Sequence, residues 1–223
     1  MATSELGIIV PAYNEGETIG AVVGSLANFG EVIVVDDGSS DDTAMHASRC
    51  GAQVVSHVQN LGYDSALNSG FKRALELGLS YALTFDADGQ HPASKVEEFA
   101  HALKGGAQLV LGVRPDRPRI SELVIGYYFQ SQFGVNDILC GLKGYNLDLY
   151  RSYGKFDSVG SIGMELAFVA LKAGVSFKEI SISVAPRLDQ SRFGNLLRSN
   201  LRILTSFIRL IHENPSLVPS ERE

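Results

Sequence analysis

Along the first half of the chain, short runs of β-branched and aliphatic residues alternate with longer stretches in which apolar positions recur every three or four residues. Gly7 to Val10, Glu31 to Val35, Gln53 to Ser56, Tyr81 to Phe85 and Gln108 to Leu111 read as strands. Glu17 to Ala27, Asp41 to Cys50, Ala66 to Leu77 and Pro92 to Leu103 read as helices. Strict alternation of the two predicts βαβ units and a mostly parallel sheet. Several of the strands are unbroken apolar runs, which suits a sheet covered by helices on both faces. The fold class expected is therefore α/β, a Rossmann-like domain with a mostly parallel central sheet flanked by helices.

After Arg114 the pattern loosens through Pro115, Pro118 and the aromatic run Tyr127-Tyr128-Phe129, and a strand-like stretch returns at Ile180 to Val184. No Gly-, Ser- or Pro-rich linker and no internal repeat divides the chain. A length of 223 residues with 45% hydrophobic content suits one core and hence one principal site. Residues 1–190 are expected to form the body of the domain, with 191–223 a C-terminal amphipathic helix and tail belonging to it. The formal net charge of -6 argues against a surface that tracks nucleic acid. Cys50 and Cys140, far apart, make neither a disulfide framework nor a metal cluster, and a reducing cytosol fits them. Met1 to Glu5 carry no basic signal-peptide start, and no apolar run approaches the ~20 residues that span a bilayer. A cytoplasmic protein is expected, peripheral at most to the inner face of the cell membrane.

Open α/β sheets bind ligands at the carboxyl ends of their strands. There the polar residues gather: Pro11-Ala12-Tyr13-Asn14-Glu15 after the first strand, Asp36-Asp37-Gly38-Ser39-Ser40 after the second, and Asp86-Ala87-Asp88-Gly89-Gln90-His91 after the fourth. Asp86 and Asp88, one residue apart, repel each other unless a cation lies between them. A hard divalent ion on oxygen ligands resolves that and also neutralises a diphosphate, with Gln90 offering a neutral oxygen. The competing reading is a solvated turn whose Asp side chains bond to backbone N–H groups. Asp36 and Asp37 can present a carboxylate to a base or ribose, while Ser40 or Asp41 caps the next helix. His91 could reach the metal but is expected to cap the turn before Pro92, and His57 to be structural.

The strings IIVPAYNEGETI, VIVVDDGSSDDT, NLGYDSALNSG, LTFDADGQHP, CGLKGYN and RLDQSRFG resemble the family 2 glycosyltransferases of the GT-A fold, and most nearly the branch that makes polyprenyl-phosphate (dolichyl-phosphate) sugars. The resemblance covers nearly the whole chain. It implies a metal-dependent, inverting hexosyl transfer from a UDP- or GDP-linked sugar, serving glycan biosynthesis at the cell envelope. It implies nucleotide-sugar contacts from Pro11, Tyr13, Glu15, Asp36, Asp37, Asp86 and Ala87. A manganese or magnesium ion is implied at Asp86, Asp88 and Gln90. Arg114 resembles an arginine near the donor phosphates or the acceptor, and a guanidinium suits bidentate phosphate contact; a surface ion pair is its alternative. Lys143 stands where relatives often carry arginine. Arg187, Ser191 and Arg192 resemble a loop that closes over the donor, with arginine replacing the usual lysine at 192.

Glu165 matches an acidic position near the acceptor. Toward a sugar hydroxyl it would act as general base, whereas a lipid phosphate, already anionic, needs none; a helix-start glutamate favoured by the macrodipole is the plainer reading. From Asn195 to His212 the residues Asn195, Arg198, Arg202, Thr205 and Arg209 share one helical face. Leu196, Leu197, Ile203, Leu204, Phe207, Leu210 and Ile211 share the other. Such a helix can lie on an anionic membrane beside a lipid-linked acceptor, or close the core, or meet a second copy in a homo-oligomer. Two rivals from other classes stand beside the transferase: a phosphotransferase with an aspartyl nucleophile, disfavoured by Gln90 where such enzymes carry Thr or Val, and a non-catalytic nucleotide-sugar-binding protein.

Overall fold

The computed structural model describes residues 5–116, 119–183 and 196–217, without the side chains of Leu196 and Leu197. The elements run β1 (Leu6–Ala12), α1 (Ile19–Leu26), β2 (Glu31–Asp36), α2 (Thr43–Arg49), β3 (Gln53–Ser56), α3 (Tyr63–Glu76), β4 (Tyr81–Thr84), α4 (Lys95–Lys104) and β5 (Leu109–Val113). They continue with α5 (Ile120–Phe133), β6 (Lys143–Asn146), α6 (Leu147–Tyr153), α7 (Glu165–Lys172), β7 (Phe177–Ser181) and α8 (Leu196–Glu213). The alternation expected up to β5 is present, and β7 lies three residues earlier than the expected 180–184 stretch.

Seven strands form one sheet in the order β3-β2-β1-β4-β6-β5-β7. β6 pairs antiparallel with β4 and β5, and every other pairing is parallel. Its sequence, Lys-Gly-Tyr-Asn, lacks the β-branched run that announces a strand, and its neighbours on both sides recruit it. Alternate residues of the central strands feed two apolar layers. Ile8, Val10, Val32 and Val34 meet α1, α2 and α4, whereas Ile9, Ile33 and Val35 meet α3 and the helices of the second half. α3 lies so close to the sheet that a Cβ at Gly70 would overlap the Ile9 side chain. Burial at ~25 cal/mol per Å² of apolar surface makes these two layers the main stabilising term.

β1 stands between β2 and β4, so the carboxyl ends of these three strands are neighbours on one rim. The chain reverses its direction of growth across the sheet there, the place where open α/β sheets leave a crevice. No helix among the described residues is long and apolar enough to cross a membrane.

Candidate active site

The rim turns are built from short polar clamps. Asn14 takes a left-handed conformation, φ 51°, which asparagine tolerates better than most residues. Its N–H donates to Ser39 Oγ at 2.9 Å, and Ser40 N–H donates back to Asn14 Oδ1 at 2.9 Å. The loop after β1 is thereby stitched to the loop after β2. Glu15 is buried, its N–H donates to Thr43 Oγ1, and its carboxylate accepts from Thr18 Oγ1 at 2.8 Å. Pro11 and Tyr13 line the rim half-buried.

Asp36 and Asp37 part ways. Asp36 accepts one N–H, from Ser39 at 3.1 Å. Asp37 is 4% exposed and has both oxygens in use: Oδ1 accepts from Leu61 N–H and meets His57 Nδ1 at 2.7 Å, and Oδ2 accepts from Gly62 N–H at 2.8 Å. His57 completes the clamp through Ser69. Asp37 thus sets the loop that leads into α3, and His57 is structural.

Beyond β4, Asp86 and Asp88 face different neighbours. Asp86 lies 30% exposed, with Oδ2 3.1 Å from His91 Nε2 and Oδ1 3.4 Å from the Tyr63 hydroxyl. Asp88 Oδ1 accepts the Gln90 N–H at 3.1 Å, and Ala87 between them is buried. His91 does more than cap a turn, because Nε2 orients an Asp86 oxygen while the buried Nδ1 has no partner. Gly141 is required beside it: a Cβ there would overlap the Asp86 carboxylate. Burial, and then the Asp86 charge, push the Tyr63 phenol well above its ordinary pKa, so it stays a donor.

Lys143 is buried on β6 and donates to Gly163 O at 2.9 Å. Burial lowers its pKa, against the opposing charges of Cys140, Asp137 and Asp86. Its carbonyl partner belongs to the 156–165 loop, where six consecutive N–H groups, from Ser158 to Gly163, turn onto three carboxylates: Glu165, Asp157 and Asp64. Ile162, β-branched yet at φ 56°, is held there by that network. Burial first, and then the Asp157 charge, push Asp64 up to about 6. A cleft of about 230 Å³ opens between this loop, the start of α3 and Arg202 of α8.

Three expectations change. Glu165 does begin a helix, but its side chain is 0% exposed and accepts from the Tyr153 hydroxyl, from Ser158 Oγ at 2.8 Å and from the N–H groups of Ser158 and Val159. A carboxylate so saturated and enclosed holds the 156–165 loop. Arg114 has its fork closed on Asp137, Nε to Oδ2 at 2.7 Å and Nη2 to Oδ1 at 2.9 Å, with Nη1 3.7 Å from Glu122. Burial alone would lower its pKa, and the Asp137 bonds outweigh that and raise it. The bidentate edge expected to meet a phosphate is occupied. In α8, Ile203 and Leu210 are buried, and Phe207 and Ile211 pack on the core, so the apolar face predicted for a membrane closes the protein. Arg187, Ser191, Arg192 and Asn195 lie outside the described residues.

Tyr63, Gly141, Asp137 and the Asp64–Asp157 pair were not singled out from sequence. Their roles come from partners 23 to 93 residues away in the chain; Tyr63 and Asp64, inside the NLGYDSALNSG string, and Gly141, inside the CGLKGYN string, had a local signal, whereas Asp137 and Asp157 had none.

The glycosyl transferase family 2 model matches residues 7–134. With the α/β sheet and the carboxylate rim, this defines the class: the chain belongs to the family 2 glycosyltransferases, and its fold is that of the GT-A enzymes. It is 30% identical to an uncharacterized protein of Methanocaldococcus jannaschii over 92% of this chain and 91% of the other. It is 27% identical to the polyprenol monophosphomannose synthase of Mycolicibacterium smegmatis over 81% of this chain and 77% of that one. Among solved structures, the glucosyl-3-phosphoglycerate synthase of Mycobacterium tuberculosis, in complex with Mn2+, uridine diphosphate and phosphoglyceric acid, superimposes with a TM-score of 0.72 at 23% identity. That match covers 94% of this chain and 79% of the other.

Proposed function

We propose that this protein transfers a hexose from a nucleoside diphosphate sugar, UDP- or GDP-linked, to a polyprenyl phosphate, with inversion at the anomeric carbon and with the help of a divalent ion at Asp86 and Asp88. The observation that carries it is the pair of carboxylates at the end of β4, beside the rim turns after β1 and β2 and held in aim by His91, Tyr63 and Gly141.

The donor set fits such an ion. Among the described residues no group of three or more His, Cys, Asp or Glu gathers into a complete cage. A pair of hard oxygen ligands suits Mg2+ or Mn2+ that arrives with substrate phosphates, because such ions keep much of their shell for phosphate and water. Gln90, whose backbone N–H donates to Asp88 Oδ1, is the neutral oxygen ligand proposed beside them. Once bound, the ion supplies charge neutralisation for the departing diphosphate.

The chain's own residues do the rest. Pro11, Tyr13, Glu15 and Asp36 border the nucleotide crevice, and Asp37 shapes it through the Leu61-Gly62 turn. Lys143 adds positive charge behind Asp86. Arg114 supports the site through Asp137, and the donor contact that the sequence resemblance implies for Arg187 and Arg192 remains part of the proposal. With Glu165 sealed in its loop, an acceptor that needs no deprotonation is favoured; a lipid phosphate is one. The relative that acts on polyprenol monophosphate supports the same acceptor.

The test incubates the purified chain with UDP- and GDP-hexoses, manganese, and either a short-chain polyprenyl phosphate or 3-phosphoglycerate. Inverted glycosyl phosphate lipid is the product expected. Product from 3-phosphoglycerate alone would turn the assignment to a soluble acceptor, and donor binding without turnover would leave a nucleotide-sugar-binding protein.

A further inference from the structure

With Ile203 and Leu210 buried and Phe207 and Ile211 packed on the core, the apolar face of α8 does not by itself seat the chain on a lipid surface. α5 presents a different pattern. Ser121, Glu122, Ile125, Gly126 and Phe129 are buried, whereas Ile120, Leu123, Val124 and Tyr127 are exposed, from 50% for Val124 to 78% for Tyr127. These four stand at i, i+3, i+4 and i+7 and form one stripe. Only its first turn is inverted: a serine and a glutamate face inward there, ahead of the buried Ile125 and Phe129, while isoleucine, leucine, valine and tyrosine face solvent. Glu122 accepts from Arg119 at 2.8 Å, yet its Oε2 and Ser121 Oγ find no hydrogen bond. A contiguous apolar stripe of this kind marks a docking surface.

α8 extends the same face. Ser121 N–H donates to Asn200 Oδ1 at 2.9 Å, and the rings of Tyr128 and Phe207 lie 5.2 Å apart, so the helices share a seam. At about 100° per residue, Leu201 and Ile208 fall just outside that seam, and Arg198, Arg202 and Arg209 fall beyond them. All five are exposed, with Arg209 Nη1 also donating to Val159 O at 2.9 Å and Arg202 at the mouth of the cleft beside the 156–165 loop. The acidic residues of the two helices are Glu122, which is buried, and Glu213, at the end of α8. In a chain of formal net charge -6, this face is cationic.

We infer that the joint α5–α8 face docks on an anionic membrane, with Ile120, Leu123, Val124 and Tyr127 entering the interfacial layer and the α8 arginines meeting the headgroups. The inference rests on the lipid-phosphate acceptor proposed above, and it moves the contact from the apolar face of α8 to α5. Apolar insertion beside basic side chains is the combination that holds a peripheral helix on anionic lipid. A second copy docked two-fold on the same patch would offer the arginine row no exposed acidic partner other than Glu213 on the two helices.

The chain has no tryptophan, so Tyr127→Trp places a single emitter in the stripe. Vesicles of phosphatidylglycerol should shift its emission to the blue, lipids brominated in the acyl chain should quench it, and phosphatidylcholine vesicles should do little. Leu123→Ser with Val124→Ser should weaken cosedimentation with phosphatidylglycerol vesicles at least ~10-fold, a loss in keeping with two buried aliphatic side chains, while the thermal midpoint holds. Emission indifferent to vesicles overturns the inference, as does a blue shift that grows with protein concentration in lipid-free buffer, which assigns the stripe to a second copy. Undiminished cosedimentation of the double variant also overturns it. Transfer to a short-chain polyprenyl phosphate, assayed without vesicles, separates the two proposals. Insertion without any transfer to lipid phosphate sinks the acceptor and leaves the surface standing; transfer without insertion does the reverse.

Discussion

Two acidic clusters sit within one side-chain layer of each other and do opposite work. At the end of β4, Asp86 is 30% exposed, and its neighbours include a histidine and a phenol at 3.1 and 3.4 Å. Around the 156–165 loop, buried Asp157 and Glu165 and half-buried Asp64 share six backbone N–H groups among them. A carboxylate meant for a ligand keeps lone pairs within reach of solvent, and one meant for architecture gives them to the backbone. The acidity of a segment does not distinguish the two. Saturation does.

The sharpest break between the clusters is Asp88→Ala. Loss of an electrostatic contact to the leaving diphosphate should lower kcat at least ~100-fold, with the thermal midpoint nearly unchanged. A variant with full metal-dependent turnover would end the metal role.

Glu165→Ala should do the reverse. Four donors would lose their acceptor in a buried loop, a cost of about 3 kcal/mol or more, read as a drop in the urea midpoint. The kcat of the remaining folded enzyme should stay within a few-fold of the parent, and a collapse of kcat in a stably folded Glu165→Gln would restore the general base.

pH separates the clusters next. Asp64 binds its proton more tightly folded, at about 6, than unfolded, at 3.8. Folding therefore takes up a proton between these values, so the contribution of this group is fully present below about pH 4 and is lost as pH rises through 6. The cost at neutral pH is about 2–3 kcal/mol, shared with Asp157. Urea midpoints from pH 4 to 7 should fall less in Asp64→Asn than in the parent. Equal slopes would show that the loop tolerates the charge.

The smallest effect is expected of Gly141→Ala, which crowds Asp86 without removing a ligand. Displacing a carboxylate of this kind costs about 10–100-fold in metal affinity, so the manganese concentration for half-maximal rate should rise while saturated kcat recovers much of its value. An unaltered manganese dependence would mean that Asp86 has room elsewhere.

What could be read from the chain alone was whatever is local. The strands up to β5, the helices between them and the clustering of Asp36, Asp37, Asp86 and Asp88 at strand ends all follow from periodicity and turn chemistry within a few residues. Even the start of α7 at Glu165 was visible. Its burial was not, because Tyr153 and Ser158 reach it from outside its own helix. Tertiary structure alone decided that β6 enters the sheet antiparallel through a segment with no strand pattern, and that Asp137 takes the fork of Arg114. It also decided that α5 turns Glu122 inward and Tyr127 outward. Each outcome depends on which partner arrives from elsewhere in the chain, and burial and hydrogen-bond saturation are properties of that encounter, while periodicity is a property of the strand or helix by itself.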